Sequence, residues 1–359
     1  MRLTKLIPLS LIALSLLLVP STAQALPRGF FGIAPQTTLD QRDTGRMRTG
    51  GVETVRTMLS WRVVQPSARG GYDWSSFDRT VALAAEERLE VLPFLVQTPA
   101  WLAGDWRTLP VDGARQRRAW EGFVAAAVAR YGRGGSFWTD HGPGTAHPLP
   151  RMPIRAWQIW NEENFFYFAR PASPTRYARL LAITRRAADL ADPRADIVLG
   201  GLFADPRGRP PKALDAVDFL DRLYEVRGAN ADFDAVALHP YAADVGVLRG
   251  HVEAIRRVSA RHGDARAGLY LTEVGWGSQA RSPVSFEVGL RGQARELRGA
   301  YRYLLSRHGG LNLRQVDWFT WKDMPGACSF CDSSGLFRRG AGFRPKPAWH
   351  AFVSFARRR

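Results

Sequence analysis

The sequence predicts an α/β fold in which eight parallel strands alternate with helices. Short apolar runs bounded by turn residues, typical of buried parallel strands, recur along the chain. Segments with a helical pattern separate these runs, as in repeated βαβ units. The chain has 359 residues and no linker-like stretch, which suits one barrel of roughly 250 residues with insertions. Eight such units favour a closed (β/α)8 TIM barrel, in a single domain, over an open sheet.

Each element follows from a local pattern. The apolar runs predict strands at residues 30–34, 54–59, 90–96, 154–160, 197–202, 235–239, 268–272 and 316–321. Helical patterns predict helices at residues 75–88, 115–131, 173–189, 213–226, 248–262, 286–308 and 346–355. Gly132 suits the end of the second helix, and Pro174 suits the first turn of the third. No G-x-G-x-x-G motif follows the first strand, which argues against a dinucleotide-binding fold.

The N-terminus has the pattern of an export signal. Arg2 and Lys5 precede an apolar stretch at 7–19, and Ala23-Gln24-Ala25 fits the small-x-small cleavage rule. We therefore expect a signal peptide at residues 1–25 and a barrel domain at 26–359, secreted or held at the cell envelope. An uncleaved anchor is the alternative, although the apolar stretch is short for a membrane span.

The chain is strongly basic, with a formal net charge of +17 and a pI of about 10.8. Such a charge raises the question of a nucleic-acid or acidic-polymer partner. However, only four of the 50 basic residues are lysine, and the arginines are scattered rather than clustered in an arm. We interpret the excess mainly as coding bias and expect no nucleic-acid partner. Association with an anionic cell surface stays open.

Cys328 and Cys331 are the only cysteines. In an exported protein, a Cys-x-x-Cys pair is typical of a short disulfide loop. A zinc site would need more ligands, and no histidine lies nearby in sequence. We therefore expect a disulfide and no metal.

Two glutamates lie at the ends of predicted strands. Glu162 follows the fourth strand in Trp-Asn-Glu-Glu, and Glu273 ends the seventh in Leu-Thr-Glu-Val-Gly-Trp. The carboxyl ends of barrel strands meet at one end of the barrel, where such folds place their chemistry. Glycoside hydrolysis requires two carboxyl groups, one as acid and one as nucleophile or base. The sequence therefore predicts that Glu162 and Glu273 are catalytic, with Glu163 as the alternative acid if the register differs.

Other side chains near strand ends suit the binding of a sugar. A guanidinium beside a carboxylate keeps it ionised, an amide can bind a sugar hydroxyl, and aromatic faces pack against the C–H faces of pyranose rings. The predicted substrate-binding residues are Arg56, Asn161, His239, Tyr241, Trp321, Trp101 and Trp276.

These residues resemble glycoside hydrolase clan A, whose members are retaining enzymes on (β/α)8 barrels. The resemblance runs across nearly the whole chain after the signal peptide. It implies that Glu162 is the acid/base and Glu273 the nucleophile. It also places other residues at positions where the clan keeps active-site groups, namely Arg56, Asn161, His239, Tyr241 and Trp321. Where clan members often carry proline after the Asn-Glu pair, this chain has Glu163.

Within the clan, the sequence is most similar to family 39 and its bacterial relatives, with the family 5 cellulases next. The segments that carry this likeness are Trp61, Gln65-Pro66, Tyr72-Asp73-Trp74-Ser75, Pro99-Ala100-Trp101, Ser173-Pro174, Tyr177 and Leu180-Leu181. Family 39 xylosidases and iduronidases carry extra β domains, for which this chain has little room.

The resemblance implies a retaining glycosidase that cleaves β-linked O-glycosidic bonds in a poly- or oligosaccharide, and the signal-like N-terminus predicts that it is exported. It implies a carbohydrate partner and no cofactor, and we expect a monomer. A transglycosylase would use the same residues with a sugar as acceptor. A non-catalytic polysaccharide-binding barrel is a further alternative, against which the intact pair of glutamates argues.

Overall fold

A computed structural model describes residues 25–358, except residues 327, 329, 330, 341 and 343. Apart from Ala25, the predicted signal peptide lies outside the described residues, so its prediction stays a prediction. No helix in this described part has the length and apolar character that a membrane span requires.

In the described residues, nine parallel strands form one sheet that closes on itself. They are β1 (Phe31–Ile33), β2 (Thr54–Ser60), β3 (Glu90–Val96), β4 (Ala156–Ile159), β5 (Asp196–Leu199), β6 (Leu202–Phe203), β7 (Ala235–His239), β8 (Gly268–Val274) and β9 (Leu313–Trp318). Their order is β5-β4-β3-β2-β1-β9-β8-β7-β6, and a pairing of β5 with β7 closes the barrel. Because β5 and β6 are two halves of one barrel strand, the predicted (β/α)8 barrel is confirmed.

The break between β5 and β6 falls at Gly200 and Gly201, and it makes room for the site. A Cβ atom on Gly200 would overlap a carboxylate oxygen of Glu163, and one on Gly201 would overlap the imidazole of His239. Gly201 also has a φ of +83°, which side chains rarely adopt. Both positions therefore require glycine, because the side chains of Glu163 and His239 occupy the space that a Cβ atom would need.

Ten α-helices of the described chain surround the strands. They are α1 (Gln41–Thr49), α2 (Trp61–Val64), α3 (Ser75–Glu86), α4 (Ala114–Tyr131), α5 (Ser136–Asp140), α6 (Pro174–Ala191), α7 (Ala216–Glu225), α8 (Val245–Arg261), α9 (Gly289–Leu311) and α10 (Pro347–Ala356). Helix α6 begins as its sequence predicts, since the Ser173 hydroxyl accepts a hydrogen bond from the Arg176 N–H and Pro174 lies in the first turn.

The main core lies between the strands and the helices. In β4, Trp157 and Ile159 are buried in this apolar layer, whereas Gln158 bonds to groups inside the barrel. This alternation follows from the two-residue period of a strand. It places polar side chains on the barrel axis while the outer face of the same strand contributes to the core.

Helix α1 was not predicted because its sequence is mostly polar and only Met47 contributes a large apolar side chain to its buried face. Its start does carry a capping box, in which Asp40 and Asp43 each accept from the other's backbone N–H.

Strand β9 ends at Trp318, three residues before the predicted end. Cys328 and Cys331 form a disulfide.

Candidate active site

Glu162 lies in the turn that follows β4, on a constrained backbone. Trp160 has a φ of 74° and Glu162 a φ of 42°, both in the left-handed region that non-glycine residues rarely occupy. The Glu162 N–H donates to the Gly200 carbonyl at 3.2 Å, and the Trp160 indole N–H donates to the Phe168 carbonyl at 2.7 Å. Strain of this kind persists only where surrounding contacts hold it, and it concentrates at functional sites.

Glu273 lies near the end of β8, and two donors hold its carboxylate. Arg56 on β2 donates to Oε1 at 2.6 Å, and the Tyr241 hydroxyl donates to Oε2 at 2.5 Å. Only 7% of Glu273 is exposed. With one donor on each oxygen, the carboxylate is oriented and its negative charge is balanced by the guanidinium.

Arg56 connects Glu273, near the end of β8, with residues on and after β4. Its other nitrogen atoms donate to Gln158 Oε1 at 2.6 Å and to Asn161 Oδ1 at 2.7 Å. The guanidinium also lies over the Phe94 ring, 4.3 Å from its centroid. Gln158 in turn donates to the Thr272 hydroxyl at 3.1 Å. This network fixes Asn161, the neighbour of Glu162, relative to Glu273.

His239, at the end of β7, contacts Glu162. Its Nδ1 lies 2.9 Å from Glu162 Oε1, and its Nε2 lies 3.0 Å from the Thr272 hydroxyl. Burial lowers the pKa of His239, and the positive charge of Arg56 lowers it further. The imidazole is therefore neutral, and its Nδ1 can accept a hydrogen bond from a protonated Glu162 or donate one to the ionised form.

The surroundings of Glu162 favour its protonated form. Burial raises the pKa of Glu162 well above its usual range, and the charge of Glu273 raises it further, against the opposing effect of Arg56. Burial, together with the charge of Glu273, also raises the pKa of Tyr241, so that its hydroxyl stays a donor. The site thus combines a carboxyl group at Glu162, whose surroundings favour protonation, with a doubly hydrogen-bonded carboxylate at Glu273, as acid and nucleophile chemistry requires.

Glu163 points away from this pair. Its Oε1 accepts the Gly200 N–H at 3.3 Å, and its buried Oε2 has no hydrogen-bond partner among the residues that the structure describes. Burial raises the pKa of Glu163 to about 8. Since this carboxyl occupies the space beside Gly200, the geometry favours Glu162 as the residue that reaches a substrate.

Among the described residues, Glu162, His239 and Glu273 also form a set that could ligate a metal ion. One ligand atom from each lies within 4.8 Å of the others. However, both oxygens of Glu273 already accept strong hydrogen bonds, one of them from the permanently charged Arg56. A cation would compete with that guanidinium, so the arrangement favours acid and nucleophile chemistry over metal binding.

The structure brings together six of the nine predicted catalytic and substrate-binding residues, namely Glu162, Glu273, Arg56, Asn161, His239 and Tyr241. The three tryptophans contact other groups. Trp321 is fully buried, and its indole donates to Asp43 at 2.9 Å, because the strand ends three residues earlier than expected. Trp276 is buried against Trp318. Trp101 lies in the loop after β3, and its indole N–H donates to the Gln65 carbonyl. The predicted roles of Trp321 and Trp276 need correction, since neither exposes a ring face to a sugar.

Sequence reasoning missed the polar and aromatic residues that complete the site. Gln158 accepts a hydrogen bond from Arg56, and the Thr272 hydroxyl bonds to His239. Phe203 and Phe319 pack against Tyr241. Gln158 carried a usable signal, because it is a lone amide within an apolar strand. The phenylalanines lie at or just beyond strand ends, where no periodic pattern marks their orientation.

Comparisons with known proteins show what the chain is similar to. Residues 34–123 match a glycoside hydrolase family 42 model described as beta-galactosidase. That segment includes Arg56 but ends before both glutamates. No curated protein sequence gives a significant match.

Solved structures resemble nearly the whole barrel. A family 39 glycoside hydrolase from the gut symbiont Bacteroides cellulosilyticus WH2 has a TM-score of 0.63 at 20% identity, covering 92% of this chain and 64% of that one. A GH5_18 protein from Bifidobacterium longum subsp. infantis has a TM-score of 0.62 at 16% identity, covering 93% and 79%. Xylanase 10B from Thermotoga maritima has a TM-score of 0.63 at 14% identity, covering 92% and 95%.

At these identities the structural likeness shows the fold, and the chain spans 64% of the length of the family 39 protein. The family model and the neighbouring structures confirm the resemblance to clan A, with family 39 and family 5 relatives.

Proposed function

We propose that the protein is a retaining glycoside hydrolase that cleaves β-linked O-glycosidic bonds in an oligo- or polysaccharide. The observation that carries this proposal is the pair of carboxyl groups with opposite surroundings, whose oxygens approach within 4.8 Å. Retaining enzymes hold their two carboxyl groups about 5–5.5 Å apart, whereas inverting enzymes leave about 6.5–9.5 Å for a water molecule. The nearest oxygens of the two groups lie closer together than the gap that an inverting enzyme leaves for water, which supports retention.

The proposed reaction has two displacements. In the first, Glu273 attacks the anomeric carbon while Glu162 gives its proton to the glycosidic oxygen, so the carbon–oxygen bond to the leaving group breaks. The products are a glycosyl ester on Glu273 and an ionised Glu162. In the second, Glu162 takes a proton from water as the water oxygen attacks the anomeric carbon, which frees Glu273.

The supporting residues have separate roles in this scheme. Arg56 and Tyr241 orient the carboxylate of Glu273 for attack. His239 contacts the carboxyl of Glu162 and, being neutral, adjusts to either protonation state. Asn161, fixed by Arg56, can bind a sugar hydroxyl next to the scissile bond.

The test replaces the nucleophile and then supplies another. Glu273→Ala should lose nearly all turnover of activated aryl glycosides, and azide should restore cleavage with a glycosyl azide of inverted configuration. Substantial unaided turnover by Glu273→Ala would place the nucleophile elsewhere. Wild-type protein that binds sugars without cleaving them would favour a non-catalytic barrel, and products dominated by transfer to a sugar would favour a transglycosylase.

We also propose that the protein is exported and associates with an anionic cell surface. The export proposal rests on the signal-like N-terminal sequence. The surface proposal rests on a concavity of about 520 Å³ at the barrel end opposite the glutamates, lined by Arg133, Arg151, Pro153, Arg155 and Arg194. Buried Asp192 holds two of the loops that form it, since it accepts the backbone N–H groups of Arg133 and Arg194.

A further inference from the structure

Tyr167 is unusually exposed for an aromatic residue so close to the site. It lies in the loop between β4 and α6, five positions after Glu162, and 56% of its surface is accessible. A single exposed apolar side chain needs no explanation in itself. Tyr167, however, ends a continuous row of aromatic rings that starts at Glu273.

The row consists of four rings. The centroid of Tyr167 lies 4.9 Å from that of Phe165, Phe165 lies 5.6 Å from Phe203, and Phe203 lies 5.7 Å from Tyr241. The Tyr241 hydroxyl donates to Glu273 at 2.5 Å. The rings therefore lead from the proposed nucleophile to solvent, and burial decreases at the Tyr167 end.

A buried amide fixes the spacing of this row. Asn164 accepts the Phe203 N–H at 3.0 Å and donates to the Phe203 carbonyl at 2.8 Å, which ties the end of β6 to the loop after β4. It also donates to the Leu214 carbonyl at 2.8 Å. The loop that carries Phe165 and Tyr167 is thus held to the barrel, as a preformed binding surface requires.

Tyr241, the first ring of the row, bonds to Glu273, whereas Tyr167 lies three rings further along. The row thus continues beyond Tyr241, and aromatic faces pack well against the C–H faces of pyranose rings. We propose that the exposed end of this row, at Tyr167, is a distal binding site for a sugar unit several units from the scissile bond. The substrate is then a linear oligo- or polysaccharide rather than a glycoside with a small leaving group. This inference rests on the proposed function.

The experiment compares substrates of increasing length. The probes are β-1,4-linked xylo-, gluco- and manno-oligosaccharides from disaccharide to hexasaccharide, with the matching octyl glycosides as an apolar alternative. Tyr167→Ala should lower the ratio of kcat/KM for the longest to the shortest cleaved oligosaccharide by about three- to tenfold, mainly through KM, as loss of one aromatic contact implies. Tyr167→Phe should restore most of that ratio.

Leu190→Ala is the matched control, because Leu190 is 83% exposed on α6 and contributes no ring. It should leave the ratio as in the wild type. An unchanged ratio in Tyr167→Ala, or a larger loss on octyl glycosides than on oligosaccharides, would overturn the inference.

Binding in the Glu273→Gln background separates this inference from the proposed chemistry. Titration of the same oligosaccharides should show an affinity that rises with length and falls about three- to tenfold with Tyr167→Ala. If this dependence appears while the wild type cleaves nothing, the distal site stands and the proposed hydrolysis fails. If no oligosaccharide binds, the distal site is wrong.

Discussion

Replacing Arg56 by methionine should damage both stability and catalysis, because this one guanidinium holds three partners. Its hydrogen bonds to Gln158, Glu273 and Asn161 measure 2.6, 2.6 and 2.7 Å, and the residue is 1% exposed. Removing one partner of a buried ion pair costs about 3–5 kcal/mol, since the other charge is left buried and unpaired. We expect Arg56→Met to lose that much free energy of unfolding in urea denaturation.

The same change should lower kcat/KM by at least about 10²-fold, because Glu273 loses the donor that orients it and small misplacements of reacting groups are costly. Arg56→Lys should recover part of the stability and little of the activity, since an ammonium cannot reproduce a three-way planar fork. Activity is measured on an aryl glycoside under conditions in which the variant is fully folded, so that unfolding is not mistaken for a loss of catalysis.

Arg130→Met is the control for stability alone. Arg130 pairs with Asp78 at 2.5 Å, far from the glutamates, and its side chain is 22% exposed. This variant should lose stability without losing kcat/KM. If Arg56→Met matched the wild type in kcat/KM within a few fold, the assignment of Arg56 to the catalytic network would be refuted.

The remaining predictions concern the adjacent glutamates and the arginine-lined concavity. Glu162→Gln should lose about 10²–10⁴-fold in kcat/KM on a glycoside with a poor leaving group, and far less in the glycosylation step of a dinitrophenyl glycoside; equal losses would indicate another acid. Glu162 must be protonated to act as the acid, and its pKa is raised. On the alkaline side, wild-type kcat/KM should therefore begin to fall only above that raised pKa, and a fall centred near 4.5, the ordinary pKa of a glutamate, would contradict this. The folded state holds the proton of Glu163 up to a pKa of about 8, so stability should fall as pH rises from about 4.5 to about 8. Glu163→Gln should reduce that fall and raise Tm more at pH 8 than at pH 5, whereas equal changes at both would refute a buried neutral carboxyl. Arg151→Ala with Arg194→Ala should weaken salt-sensitive binding to an acidic polysaccharide, while the exposed pair Arg62→Ala with Arg69→Ala should not; equal weakening would mean that only net charge matters.

The barrel and its two glutamates could be predicted from the sequence because both signals are local. An apolar strand with a carboxylate at or just beyond its end marks Glu162 and Glu273 without any knowledge of distant contacts. Arg56, Asn161, His239 and Tyr241 were found in the same way, since each lies on or just after a strand.

The positions of the aromatic residues around the site were harder to predict. They depend on where each strand ends and on the direction in which the chain then turns. A shift of three residues at the end of β9 leaves Trp321 bonded to Asp43 in α1. Trp276 turns into the core against Trp318. Phe203 follows the break at Gly200 and Gly201, where added Cβ atoms would overlap Glu163 and His239, contacts that a local pattern does not reveal.

The most direct test of the central claim is to trap the covalent intermediate. A 2-deoxy-2-fluoro glycoside with a good leaving group, carrying the sugar that the enzyme cleaves, should label the protein once. Digestion and mass spectrometry should then place the label on Glu273, and the first product of an unmodified substrate should keep its anomeric configuration by proton NMR. A label on Glu162 or Glu163, or a first product of inverted configuration, would contradict the account.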